Sequence, residues 1–72
     1  MDIKNITMQV AREYIQNVED SNDWYLLDTN KVTYHKDEYA EWARVDAFDN
    51  NGGKWWQWDL WYKEDGTLYG EW

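Results

Sequence analysis

The chain has no cysteine and no proline, and only one histidine, one serine and four glycines in 72 residues. Without cysteine there is no disulfide staple, no thiolate for zinc and no thiol nucleophile. Ser21 and His35 would have to meet to build a Ser-His-Asp triad, and neither lies in a recognisable motif. Paired carboxylates are plentiful, but so short a chain has no room for a cleft that holds a sugar between them. The reading is therefore of a protein that is not an enzyme. Bases are scarce too: seven Lys and Arg stand against fifteen Asp and Glu, a net charge of −8. Direct nucleic-acid binding needs Lys and Arg at the phosphates, so that class is set aside. No apolar run approaches the roughly 18 residues of a membrane span. The segment Met1 to Val10 lacks the basic start and apolar core of a signal peptide, so a cytoplasmic location is expected, that of an infected host cell included. Asp46 to Gly53 carries Asp and Asn beside two glycines without the alternate-ligand spacing of an EF-hand. No glycine-rich phosphate loop is present, and no metal or cofactor is expected.

What the chain does have is aromatic rings. Seven Trp, six Tyr and one Phe argue against disorder, because disordered acidic chains are poor in aromatics. One small domain, residues 1–72, is expected. Met8, Ala11, Tyr14, Ile15 and Val18 share one helical face, and Asn5 or Thr7 offers a cap, which predicts a helix over about 6–20. The polar cluster Asp20 to Asp23 stops it. The rest reads as strands over about 24–28, 31–35, 39–48, 54–63 and 67–72. His35 to Glu38 reads as a polar hairpin loop. Asn50-Asn51-Gly52-Gly53 and Glu64-Asp65-Gly66 are the two clearest turns. The segment 39–48 also suits a helix, on its alanines and on the spacing of Tyr39, Trp42, Ala43 and Asp46.

Registers follow from asking which side chains each pairing brings together. Phe48 opposite Trp55 sets Ala47 against Trp56, Val45 against Trp58 and Ala43 against Leu60, small against large on one face. The same register sets Trp42 against Trp61 and Arg44 against Asp59 on the other face. Tyr62 opposite Leu68 adds Gly70 and Trp72 to the first face, and Tyr69 and Glu71 to the second. Tyr34 opposite Tyr39 adds Val32 and Tyr34 to the first. This register turns Glu41 toward the core side. The expected fold is α+β: one N-terminal helix packed on one face of a four- or five-stranded antiparallel meander. Its core is Met8, Ala11, Ile15 and Val18 against Ala43, Val45, Trp56, Trp58, Leu60 and Tyr62.

The second sheet face has no helix to cover it, although the loop 18–30 is long enough to fold over it. It carries Trp42, Trp61 and Tyr69 in one row, Arg44, Asp59 and Glu71 in the next, then Phe48 and Trp55. Contiguous exposed aromatics on a small protein mark a binding surface, and Trp and Tyr anchor interfaces. Side chains two apart on a strand lie about 6.6 Å from each other, of the order of the phosphate spacing along one nucleic-acid strand. The candidate partner-binding residues are Trp42, Asp46, Trp55, Asp59, Trp61, Tyr69 and Glu71, with Asp37 and Glu38 at the rim. The expected partner is a basic protein that itself binds nucleic acid.

Three resemblances accompany this reading. Val32-Thr33-Tyr34 followed by Tyr39-Ala40-Glu41-Trp42 resembles the aromatic stretch of small chitin-binding modules, which implies sugar rings stacked on exposed aromatics. Asp65-Gly66-Thr67-Leu68-Tyr69-Gly70-Glu71-Trp72 resembles the end of a MORN repeat, which implies a hairpin. In size, charge and aromatic content the chain is similar to phage and mobile-element inhibitors of host defence, the anti-CRISPR and anti-restriction proteins. That similarity implies an inhibitor that blocks a basic nucleic-acid-binding surface. The alternatives are a carbohydrate-binding module and a homodimeric assembly protein.

Overall fold

The computed structural model describes residues 2–18, 24–25 and 31–72. It is an α+β fold. A 3-10 turn, Ile3–Asn5, precedes helix α1, Met8–Asn17, and five strands follow: β1 Trp24–Tyr25, β2 Thr33–Lys36, β3 Glu41–Asp49, β4 Lys54–Tyr62 and β5 Leu68–Glu71. All pairings are antiparallel. β3 is central: β4 pairs along one side of it, while β1 and β2 share its other side at opposite ends. The segment 39–48 is thus strand rather than helix, beginning at Glu41. Of the expected strand 24–28 and helix end 19–20, residues 26–28 and 19–20 lie outside the described residues.

The helix starts at Met8, not at residue 6, because two residues ahead of it have other tasks. Thr7 is the cap, its Oγ1 accepting from the Val10 amide at 3.3 Å. Ile6 is fully buried, and the Tyr34 hydroxyl donates to its carbonyl at 2.9 Å. The core comprises Ile6, Ala11, Ile15, Ala43, Val45, Ala47, Trp58 and Leu60, with Met8, Val18, Trp56 and Tyr62 packed at its margin. Ile6 and Ala47 join the expected set. No polar or charged side chain is buried among the described residues.

The two C-terminal registers are as the size pairing requires. Ala47 stands opposite Trp56, Val45 opposite Trp58, and Ala43 opposite Leu60. Leu60 stands opposite Gly70, and Trp61 opposite Tyr69. Gly53 and Gly66 take φ of 71° and 86° in the two hairpin loops, where an L side chain is strained. The β2–β3 register differs from expectation. Tyr34 pairs with Ala43, not Tyr39, and Lys36 pairs with Glu41. Asp37 causes the shift: its Oδ1 accepts from the Tyr39 and Ala40 amides, both at 2.8 Å, and its amide donates to the Ala40 carbonyl. An Asp at the first loop position closes the turn with its own side chain. The loop is therefore Asp37 to Ala40, and His35 lies in β2 rather than in a loop. Glu41, which the register turns coreward, sits at the end of its strand, exposed, 3.6 Å from Lys36 Nζ.

Candidate functional site

Strand alternation divides the sheet's side chains. Those of Ala43, Val45, Trp58 and Leu60 face the helix. Trp42, Arg44, Asp46 and Phe48 of β3 take the other face, with Trp55, Gln57, Asp59 and Trp61 of β4. Tyr69 and Glu71 extend that face on β5, and His35 and Thr33 on β2. The expectation that loop 18–30 folds over this face rests on residues outside the described set, apart from Val18 and the backbone of β1.

One row of this face is aromatic across four columns. His35 pairs with Trp42, and their rings stack 5.7 Å apart at 14°. One step beyond the Ala43–Leu60 pair, the register carries Trp42 alongside Trp61. Trp61 meets Tyr69 edge to face, 5.0 Å apart, and Lys63 Nζ sits 4.6 Å from the Tyr69 ring centre. The next row is charged. Arg44 Nε donates to Asp59 Oδ1 at 2.7 Å and its Nη2 to Oδ2 at 3.3 Å, a two-point clasp. These bonds, and the charge of Asp59, hold the Arg44 pKa above its ordinary value, so the guanidinium stays charged. Glu71 is the cross-strand neighbour of Asp59.

Between these two rows lies a cavity of about 250 Å³, lined by Ala40, Glu41, Trp42, Asp59, Trp61 and Glu71. It brings together four residues singled out from sequence: Trp42, Asp59, Trp61 and Glu71. Tyr69 adjoins through Trp61. The others lie apart. Asp46, opposite Gln57, lines a separate hollow with Lys31, Arg44 and His35. Trp55 packs edge to face on Phe48 at the far end of the sheet, rings 5.5 Å apart. Asp37 braces its own turn, and Glu38 is exposed beside it. Sequence reasoning missed Glu41 and Ala40 at the cavity and His35 on the row; all three depend on the β2–β3 register, for which the signal was Asp37.

The indole nitrogen of Trp42 is buried and has no hydrogen-bond partner among the described residues. No group of His, Asp and Glu that could hold a metal ion occurs among the described residues, and no helix is long and apolar enough to cross a membrane. No protein-family model, no curated protein and no solved structure matches the chain.

Proposed function

We propose that this protein is a non-enzymatic binding protein that docks its open sheet face on a basic partner protein, one that itself handles nucleic acid, and so inhibits it. The observation that carries the reading is the cavity that Trp42 and Trp61 line together with the acidic residues Asp59 and Glu71, Glu41 lying at its edge. Indoles supply large, rigid contact area, and acids beside them favour partners rich in Lys and Arg. Arg44 interrupts the acids of this face, so the form proposed is aromatic anchors flanked by carboxylates rather than an unbroken ladder of phosphate-like charges. The inhibitor would act in the cytoplasm, where such partners are found. A flat sugar-stacking platform is less favoured, because Trp61–Tyr69 and Phe48–Trp55 both meet at 62° rather than lying coplanar.

The test is capture from a bacterial lysate on the immobilised protein, with low-salt and high-salt washes. The expected result is retention of a basic protein that salt releases and that added DNA or RNA displaces. An empty eluate, or capture insensitive to salt, overturns the reading.

A further inference from the structure

We propose that the cavity between Trp42 and Trp61 seats a single arginine side chain of the partner. This rests on the docking reading and names the group that would enter. The first argument is charge. Asp59 and Glu71 line the cavity, with Glu41 at its edge. Asp59 is satisfied by Arg44, and Glu41 has Lys36 at 3.6 Å. Glu71 is exposed and makes no ion pair among the described residues. The cavity thus has one uncommitted carboxylate beside two indoles.

The second argument is the fold's own use of its cations. Lys54 Nζ lies 3.9 Å from the Trp56 ring centre, and Lys63 Nζ lies 4.6 Å from that of Tyr69. Rings of this sheet therefore attract positive charge, as the ring quadrupole dictates. On the open face Arg44 is spent on Asp59 and Lys63 on Tyr69. The Trp42–Trp61 cavity has the same rings and the added acid, yet none of the chain's own cations lines it. Arginine is favoured over lysine because its planar, weakly hydrated guanidinium stacks on indoles and keeps an edge free to donate to a carboxylate. Glu71 stands where that edge would be met.

The experiment uses the whole chain, labelled with nitrogen-15, and reads the indole N–H signals, with those of Trp42 and Trp61 assigned from Trp42→Phe and Trp61→Phe. The probes are N-acetyl-arginine amide, its citrulline and lysine counterparts, and a chitin oligosaccharide. Saturable shifts at Trp42 and Trp61 with the arginine probe are expected, about tenfold weaker with citrulline, which keeps the shape and lacks the charge. Glu71→Gln, at an exposed position, should weaken arginine binding about threefold with the other indole signals unmoved. No saturable shift, equal binding of citrulline or lysine, an unaffected Glu71→Gln, or shifts at these indoles with the oligosaccharide alone would each overturn the assignment. The two readings fail separately. Salt-sensitive capture of a basic protein that persists in Trp61→Ala leaves docking standing and removes the cavity from it. Arginine binding without any captured basic partner does the reverse.

Discussion

Gly70 shows how tightly single residues are constrained. A Cβ there would lie 2.8 Å from Tyr14 Cε1 and 3.1 Å from Leu60 Cδ2, so only glycine lets the helix approach β5. The same approach lets the Tyr14 hydroxyl accept from the Gly70 amide at 2.9 Å, capping an edge strand that would otherwise offer its backbone to another chain. Gly70→Ala should destabilise by about 1–3 kcal/mol through overpacking. Tyr14→Phe should cost about 1 kcal/mol through the lost bond. Urea unfolding followed by tryptophan fluorescence measures both, and a Gly70→Ala midpoint equal to wild type would refute the contact. Asp65 makes a different prediction. Its side chain accepts from the Thr67 amide at 2.9 Å, and hydrogen bonds from Thr67 hold its pKa below the usual carboxylate value. A lowered folded-state pKa gives stability that is present above the unfolded value, near 4, and is lost as pH falls through the folded one. Wild type should exceed Asp65→Asn in urea midpoint at neutral pH, and the gap should close on acidification.

At the scale of elements, the cap of α1 is the simplest test. Thr7 satisfies an amide that the helix cannot, and a Thr→Ala change at such a position costs about 1 kcal/mol. Circular dichroism of Thr7→Ala under urea should show that loss, with binding unchanged because Thr7 lies far from the open face in the fold. The strands explain what could be read from sequence. β3, β4 and β5 are legible because Ala43, Val45 and Ala47 must oppose Leu60, Trp58 and Trp56, and a one-residue slip would turn every ring to the wrong side. Hence Trp42, Asp59, Trp61 and Glu71 could be placed on one face before any coordinates. The β2–β3 hairpin was less legible. Residues 35–38 are all polar and read more readily as a loop than 37–40, which include Tyr39 and Ala40, and sliding from one to the other moves partners by four, an even number that preserves both faces. Strand alternation cannot distinguish the two; the Asp37 side chain does, through two amide bonds made only in the second. Glu41 and His35 entered the site through that difference. Ile6 was hidden for a different reason: it falls off the helical face of Met8, Ala11, Ile15 and Val18, and enters the core from the non-helical backbone just ahead of the Thr7 cap.

For the whole molecule the governing quantity is the charge of −8 on 72 residues. Self-repulsion of that size destabilises the compact state, and salt screens it over about 8–10 Å at physiological strength. Local ion pairs such as half-buried Arg44–Asp59 and exposed Lys36–Glu41 respond the other way. Such pairs contribute about 0–1 kcal/mol each. The net effect of added sodium chloride on folding should therefore be a modest rise in unfolding midpoint. Binding to the proposed basic partner should have the opposite sign, because the attraction between an acidic face and a basic surface is what salt screens. These opposed slopes separate two explanations that a single binding curve confuses. If release at high salt came from partial unfolding, the midpoint would fall over the same range. A rising midpoint with falling affinity assigns release to screening across the interface, whereas affinity independent of salt beside a rising midpoint would leave the acids with no role beyond solubility.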